Sequence, residues 1–326
     1  MAPILELREL SVSYETQGGA RAVLSKLSLD VSAGEALGIV GESGSGKTVL
    51  VRSILGLLDP PFRTDHGTVV FEGRDLRQLD EQSFRQLRGG SIALTTPEPR
   101  KHLNPLISIG RQIVNVLRAH QTLAEQAART RTIELLRAVG IPDPERRLAA
   151  YPHELSGGMC QRVIIAMALA HQTKLLLVDE PTAGLDVTIS RQILDLMHEL
   201  AVSHGTALML VSRDLGVVAH YCRRVAVMYD GRIVEDAPVE AFFAGPAHPY
   251  SRQLLRAAAA SRGKRGAEKR VDALAEPART GCPFRPRCPV AVAACATAVP
   301  ALQQVAAGRR ARCLRAEALL RQELAA

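Results

Sequence analysis

The stretch GESGSGKT at residues 41–48 constrains the fold of this 326-residue chain more than any other segment. It matches the pattern G-x-x-x-x-G-K-[ST] in full. The apolar run ALGIV precedes it at 36–40, and the helix-like run VLVRSIL follows at 49–55. A strand, a glycine loop and a helix in this order form a phosphate-binding loop, or P-loop. The segment therefore predicts an α/β fold with a phosphate site where the strand ends.

Each residue type in the P-loop has a chemical reason to be there. Backbone N–H groups of such a loop cradle the β- and γ-phosphates of a nucleotide, Lys47 neutralises their charge, and the Thr48 hydroxyl binds Mg²⁺. The predicted ligands of ATP and Mg²⁺ in this loop are Gly41, Ser43, Gly44, Ser45, Gly46, Lys47 and Thr48.

A second apolar run ends in two carboxylates. Residues 174–180 read KLLLVDE, which is typical of a strand that is buried on both faces, with Asp179 and Glu180 at its carboxyl end. Taken alone, such a strand is often a core strand with a solvated tip. Together with the P-loop, it predicts that Asp179 holds Mg²⁺ through water and that Glu180 is the general base that polarises the attacking water.

The segment LSGGMCQR at residues 155–162 shows what kind of nucleotide-binding protein this is. With the P-loop and the Asp-Glu strand, it resembles the ATP-binding cassette (ABC) family over nearly the whole chain. In that family the segment opens a helix that faces the γ-phosphate of an ATP held by another subunit. The resemblance implies that Ser156, Gly157, Gly158 and Gln161 bind nucleotide, because glycines allow close approach and a helix N-terminus favours negative charge.

Two further positions match the family. Tyr14 stands where an aromatic residue stacks on adenine, although an isolated tyrosine is as readily a strand-surface residue. Asp186, in AGLD at 183–186, matches the loop that links one ATP site to the other across a cassette dimer.

The resemblance implies an α/β fold of the ABC-type P-loop NTPase. We expect a RecA-like core, an antiparallel β subdomain and a helical subdomain at about residues 100–160, all within a nucleotide-binding domain at 1–245. A cysteine-containing C-terminal extension would occupy 246–326.

Two positions depart from the family pattern. Pro97 stands where family members carry a glutamine, and proline offers neither a side-chain amide nor a backbone N–H to Mg²⁺ or water. Arg213 stands where they carry a histidine, and arginine stays charged, so it can act only as an electrostatic clamp on the nucleotide. Both changes fall on the pocket built on this chain's own P-loop. We therefore expect that pocket to bind ATP but to turn it over slowly or not at all.

The C-terminal part resembles one branch of the family. His-Pro-Tyr at 248–250 is similar to a segment of the dipeptide and oligopeptide permease ATP-binding subunits, a branch that includes nickel importers, and YPHE at 151–154 fits it too. A polar stretch at 261–270 has the composition of a mobile linker.

Four of the six cysteines follow that stretch: Cys282, Cys288, Cys295 and Cys313. Without a secretion signal, stable disulfides are disfavoured, and the spacings are too wide for a usual zinc knuckle, which leaves an iron–sulfur cluster, zinc or free structural thiols. The resembling permease subunits carry a 4Fe-4S cluster on such a segment, and we expect these four cysteines to hold one here. Cys160 and Cys222 are expected to be ordinary buried thiols.

Composition limits the partners. The net charge is +8, but no helix-turn-helix, RNP-like or zinc-finger pattern accompanies it, so we expect a solvated basic surface and no nucleic acid. No apolar run reaches the roughly 18 to 20 residues of a membrane helix, and the start alternates apolar and charged residues instead of forming a signal peptide. The expected location is the cytoplasmic face of the inner or plasma membrane, as a peripheral subunit.

The leading hypothesis is therefore the ATPase of a dipeptide or oligopeptide importer. It would form a heterodimer with a second ABC ATPase subunit, on two transmembrane permease subunits fed by an extracytoplasmic substrate-binding protein. A nickel or metallophore importer ATPase and a regulatory ATP-binding pseudo-ATPase are the alternatives. An ABC ATPase of DNA repair or translation would need a coiled-coil insert or tandem cassettes, which are absent from the sequence.

Overall fold

A computed structural model describes residues 2–171, 173–262 and 277–321. The strands are β1 Leu5–Thr16, β2 Gly19–Val31, β3 Ala36–Val40, β4 Phe62–Phe71, β5 Arg74–Asp75, β6 Ile92–Thr95, β7 Leu175–Asp179, β8 Ala207–Val211, β9 Arg224–Tyr229, β10 Arg232–Pro238, β11 Gln303–Ala306 and β12 Arg309–Ala311. The α-helices are α1 Lys47–Ile54, α2 Glu81–Leu87, α3 Pro99–His102, α4 Ile109–His120, α5 Glu125–Ala138, α6 Pro144–Arg147, α7 Gly157–Ala168, α8 Val187–His204, α9 Leu215–Tyr221, α10 Val239–Ala244, α11 Pro249–Arg262 and α12 Ala316–Leu320.

The chain divides into two compact units. We call Leu5–Asp30, Ala36–Arg74 and Leu210–Ala326 the P-loop unit, and Met1–Ile4, Val31–Glu35 and Asp75–Met209 the helical unit. In the stretch expected to be a mobile linker, the first two residues belong to α11, and 263–270 lie outside the described residues.

The P-loop unit contains two groups of strands. An antiparallel sheet pairs β1 with β4, so that Leu5 faces Phe71 and Tyr14 faces Phe62. In the other group the neighbours run β11-β12-β10-β9-β3, where β3 and β9 are parallel and the remaining pairs antiparallel. The C-terminal segment thus adds two strands to the sheet that contains β3. Strand β3 is apolar and buried because α9 packs on it: a Cβ on Gly38 of β3 would lie 2.5 Å from Val218 of α9.

The helical unit is organised around α7. Strands β6 and β7 pair in parallel, from Ile92 opposite Leu175 to Thr95 opposite Val178. Helix α7 packs against α3, α4, α5, α8 and β6. Most of its apolar side chains are buried because neighbours surround it on several sides. The expected α/β architecture with an antiparallel β subdomain and a helical subdomain is confirmed.

Candidate nucleotide-binding site

The P-loop has the geometry that its sequence predicts. Strand β3 ends at Val40, and α1 begins at Lys47 after Gly46, whose φ of 101° lies in the left-handed region that favours glycine. Gly41 is needed for another reason, because a Cβ there would lie 2.2 Å from the Met228 carbonyl oxygen. The loop therefore tolerates no side chain at the point where it passes β9.

Lys47 organises the interior of this loop. Its Nζ donates to the Gly41 carbonyl at 2.8 Å, to the Glu42 carbonyl at 2.9 Å and to the Ser45 hydroxyl at 3.4 Å, and the residue is only 6% exposed. A buried ammonium ringed by loop oxygens places a fixed positive charge at the centre of the cradle. These residues fit a nucleotide phosphate, because the ammonium, the helix N-terminus and the glycine backbone are all complementary to negative charge.

The remaining predicted loop ligands differ in burial. Ser45 and Gly46 are buried, whereas Ser43, Gly44 and Thr48 are exposed. Thr48 lies in the first turn of α1, so its hydroxyl is available to solvent and to a metal ion. The predicted residues of this motif therefore lie in one loop and in the first turn of α1.

The carboxylate strand lies in the helical unit. All five residues of β7 are buried, and Asp179 is 3% exposed at its last position. Glu180 follows with a φ of 42°, an unfavourable conformation for a residue with a side chain. Strained backbone of this kind at non-glycine residues concentrates at functional sites. The two carboxylates therefore differ in burial: Asp179 is buried, whereas Glu180 is partly exposed.

The signature segment opens α7 as expected. Ser156 is the N-cap, and its Oγ accepts a hydrogen bond from the Met159 N–H at 3.2 Å. Ser156 is exposed and Gly157 and Gly158 are partly exposed, so this helix start is open to a ligand. Gln161 is different: its side chain is fully buried, and its two polar atoms have no hydrogen-bond partner among the described residues. Its predicted contact with nucleotide stays a prediction.

Asp186 lies beside the signature. It caps α8, because its Oδ1 accepts from the Ile189 N–H at 3.0 Å. A Cβ on Gly158 would lie 2.7 Å from Ile189, and one on Gly157 would lie 3.5 Å from Leu185. The structure thus brings the signature and the start of α8 together, and Asp186 has a capping role that the motif did not reveal.

Three predicted positions lie outside these motifs: Tyr14, Pro97 and Arg213. Tyr14 is 37% exposed and makes an edge contact with Phe62 at 4.9 Å between ring centroids, so both interpretations of this tyrosine remain open. Pro97 lies in a bend two residues after β6 and is partly buried. Arg213 is exposed between β8 and Asp214, the N-cap of α9.

The prediction of a 4Fe-4S cluster is wrong. Cys282, Cys288, Cys295 and Cys313 line one cavity, but among the described residues, which include all four, no group of histidine, cysteine, aspartate or glutamate side chains could hold a metal ion. The cavity volume is about 10 Å³, which is near the lower limit for a single water molecule. Burial raises the pKa of Cys282 and Cys288, and raises that of Cys313 to about 12. Raised thiol pKa values at Cys282, Cys288 and Cys313 and a cavity this small do not fit a cluster, which requires thiolates and space.

With this geometry established, comparison with known proteins identifies the class. The family model "ABC transporter" matches residues 24–183, and the model "Oligopeptide/dipeptide transporter, C-terminal region" matches residues 234–295. A dimeric, post-hydrolysis ATP-binding cassette bound to ADP and Pi superimposes with a TM-score of 0.65 at 25% identity, over 72% of this chain and 98% of that one.

Full-length relatives share the same class. The probable peptide ABC transporter ATP-binding protein y4tR of Sinorhizobium fredii is 44% identical over 96% of this chain and 95% of its own length. The dipeptide transport ATP-binding protein DppD of Escherichia coli is 41% identical over 95% of this chain and 96% of its own length.

The chain belongs to the ATP-binding proteins of the ABC transporter family, with the oligopeptide/dipeptide transporter C-terminal region. Proteins of this family bind ATP with Mg²⁺ and couple its hydrolysis to transport, and the chain is accordingly an ATPase subunit peripheral to the inner membrane. None of the described helices combines the length and apolarity needed to span a bilayer.

Proposed function

We propose that this chain energises an importer of dipeptides or oligopeptides. The support comes from the peptide-transport names of its full-length relatives and from the matching C-terminal region at residues 234–295. In this proposal it pairs with a second ABC ATPase subunit on two transmembrane permease subunits, which an extracytoplasmic substrate-binding protein supplies.

We further propose that the two ATP pockets of the heterodimer differ in hydrolysis. This proposal rests on a contrast within this chain between an intact phosphate-binding loop and signature and two altered catalytic positions. The P-loop is complete and closed around Lys47, and the signature at Ser156 is open to solvent. Pro97 and Arg213 stand where the family pattern has a glutamine and a histidine. We propose that this P-loop binds MgATP, with Thr48 as a ligand of Mg²⁺, and that this ATP is hydrolysed slowly, while the signature completes a competent pocket on the partner subunit.

Substitution of Glu180 tests this assignment. In the assembled complex, Glu180→Gln should lower steady-state turnover by less than about twofold, because this pocket already contributes little. The equivalent substitution in the partner should lower turnover by about 100-fold or more. The opposite ranking of the two variants would refute the proposal.

A gain of function provides a sharper test. In a complex whose partner carries the inactivating substitution, Pro97→Gln together with Arg213→His should raise turnover about tenfold or more, because the amide and the imidazole return to the pocket. Arg223→His, a histidine introduced outside the pocket, is the matched control. An unchanged rate in the double variant would show that these two positions are not what limits hydrolysis.

A regulatory pseudo-ATPase is the second candidate, and Pro97 and Arg213 are the observation that favours it. It predicts that the assembled complex shows no turnover attributable to either pocket. Measurable turnover that the transported substrate stimulates would exclude it.

A further inference from the structure

Glu42, the second residue of the P-loop, is held from outside the loop by the C-terminal region. Its backbone N–H donates to the Tyr250 hydroxyl at 2.8 Å. Its carboxylate accepts two hydrogen bonds from Arg287, at 3.1 Å from Nη1 and 2.8 Å from Nη2. Tyr250 and Arg287, which are more than 200 positions away in sequence, therefore both hydrogen-bond to Glu42. All three residues lie within the P-loop unit.

Tyr250 is fixed by the His-Pro-Tyr segment. His248 precedes α11, and its Nδ1 accepts a hydrogen bond from the Tyr250 N–H at 3.1 Å, while Pro249 occupies the first helical position. The Tyr250 ring is fully buried and packs against Tyr229 and Phe284, at 4.6 and 5.5 Å between centroids. The packing of the ring thus fixes the position of the hydroxyl that contacts the loop.

Arg287 is fixed by the cysteine-containing segment. It lies in the short 3-10 helix Arg285–Arg287, and its guanidinium packs over the rings of Tyr229 and Phe284 at 5.8 and 5.5 Å. Its side chain is 10% exposed, against 32% for Glu42. A planar guanidinium that is largely buried and makes two parallel bonds to a carboxylate is a stronger and more directional contact than a surface ion pair.

Two sets of contacts hold the loop at different atoms. Lys47 holds the Gly41 and Glu42 carbonyls from within, whereas Tyr250 and Arg287 hold the N–H and carboxylate of Glu42. The loop also receives a hydrogen bond at the Ser45 carbonyl, from the Gly231 N–H at 3.0 Å. An unpaired carboxylate in the phosphate loop would repel the phosphates of ATP, and Arg287 offsets that charge.

We propose that the C-terminal region sets the ATP affinity of this chain by positioning Glu42, with Arg287 and Tyr250 as the positioning residues. A preorganised loop binds its ligand more tightly because less ordering is required on binding. The proposal rests on nucleotide binding at the P-loop and assigns to the His-Pro-Tyr and cysteine-containing segments a role in the nucleotide site. It does not depend on the peptide substrate or on the competence of the pocket in hydrolysis.

Binding of a fluorescent ATP analogue with Mg²⁺ to the purified full chain tests the proposal. Arg287→Gln should raise Kd about tenfold, because it removes both bonds and leaves the Glu42 charge uncompensated. Arg285→Gln is the matched control, since it removes the same charge from the same 3-10 helix without touching Glu42, and its Kd should stay within about twofold of the parent. Equal Kd values for the two variants would overturn the proposal. A parent chain that binds no nucleotide would instead refute nucleotide binding itself.

Two further variants separate positioning from a general loss of structure. Tyr250→Phe keeps the ring and loses the hydroxyl, and should raise Kd about threefold or more without lowering the melting temperature of the free chain by more than a few degrees. Glu42→Gln combined with Arg287→Gln removes the uncompensated charge and should recover about threefold or more of the affinity lost in Arg287→Gln. A double variant that binds as weakly as Arg287→Gln, or losses of affinity that only follow losses of melting temperature, would contradict the positioning role.

Discussion

The P-loop and the cysteine cavity are two regions where residue type and spacing predicted a ligand, and only one of them has the structure of a ligand site. In the P-loop, a buried ammonium and backbone that no side chain can occupy leave a cradle for phosphate. Around Cys282, Cys288, Cys295 and Cys313, the cavity volume is only about 10 Å³, and burial raises the pKa of the Cys282, Cys288 and Cys313 thiols. Suitable ligand atoms make a site only when they also have space and the right charge.

The two motifs differ in how far their geometry is determined locally. The eight residues of the P-loop are contiguous and lie between a strand and a helix, so local backbone preferences place them. The four cysteines are spread from Cys282 to Cys313 over 3-10 helices, a hairpin and the segments between them, so their mutual positions depend on the packing of the whole C-terminal region. Sequence spacing carries little information about such an arrangement.

Among the substitutions that test this comparison, Lys47→Ala has the largest expected effect, which is on the affinity for ATP. It removes the ammonium that bonds three loop oxygens and would neutralise phosphate charge, so Kd for MgATP should rise about 100-fold. Titration with a fluorescent ATP analogue measures it. Lys101→Ala, at an exposed lysine paired with Glu98, is the control and should leave Kd unchanged. Similar losses in both variants would mean that the P-loop has no special role in binding.

His248→Asn is expected to have the next largest effect, and it tests whether the interior around the cysteine cavity is dry. His248 lines that cavity, and burial lowers its pKa to about 3. The folded chain therefore keeps this imidazole neutral, while the unfolded chain protonates it below its ordinary value of 6.5. Stability contributed in this way is complete above pH 6.5 and is lost progressively as the pH falls toward 3.

Asparagine can cap the same helix but cannot titrate. Between pH 7 and pH 5, the free energy of unfolding of the parent should therefore fall by about 2 kcal/mol more than that of His248→Asn. Denaturant unfolding at the two pH values gives this difference. His102→Asn, at an exposed histidine, should match the parent. An identical pH dependence in the parent and His248→Asn would show that the imidazole is solvated and that the cavity is open to water.

The local parts of the fold and the site were predictable from sequence, and the long-range parts were not. The strand, loop and helix around Lys47 and the N-cap at Ser156 follow from neighbouring residues. The contact between Glu42 and Arg287 joins positions 245 residues apart, and Glu42 occupies a position of the P-loop pattern that accepts any residue. The complete burial of the Gln161 side chain also depends on packing around α7 that the motif does not specify, and its predicted contact with nucleotide stays a prediction.

Cys295→Ala has the smallest expected effect and tests the cysteine side of the comparison directly. Cys295 and Cys222 are both 8% exposed, but only Cys295 lines the cavity, so Cys222→Ala is a control matched in burial. If both are ordinary packed thiols, each substitution should lower the free energy of unfolding by about 1 kcal/mol and leave the ATP affinity within about twofold of the parent. Anaerobically purified parent protein should contain no stoichiometric iron or acid-labile sulfide. Bound iron that is lost in Cys295→Ala and retained in Cys222→Ala would reverse the conclusion, because a cluster ligand has effects that a packing thiol cannot produce.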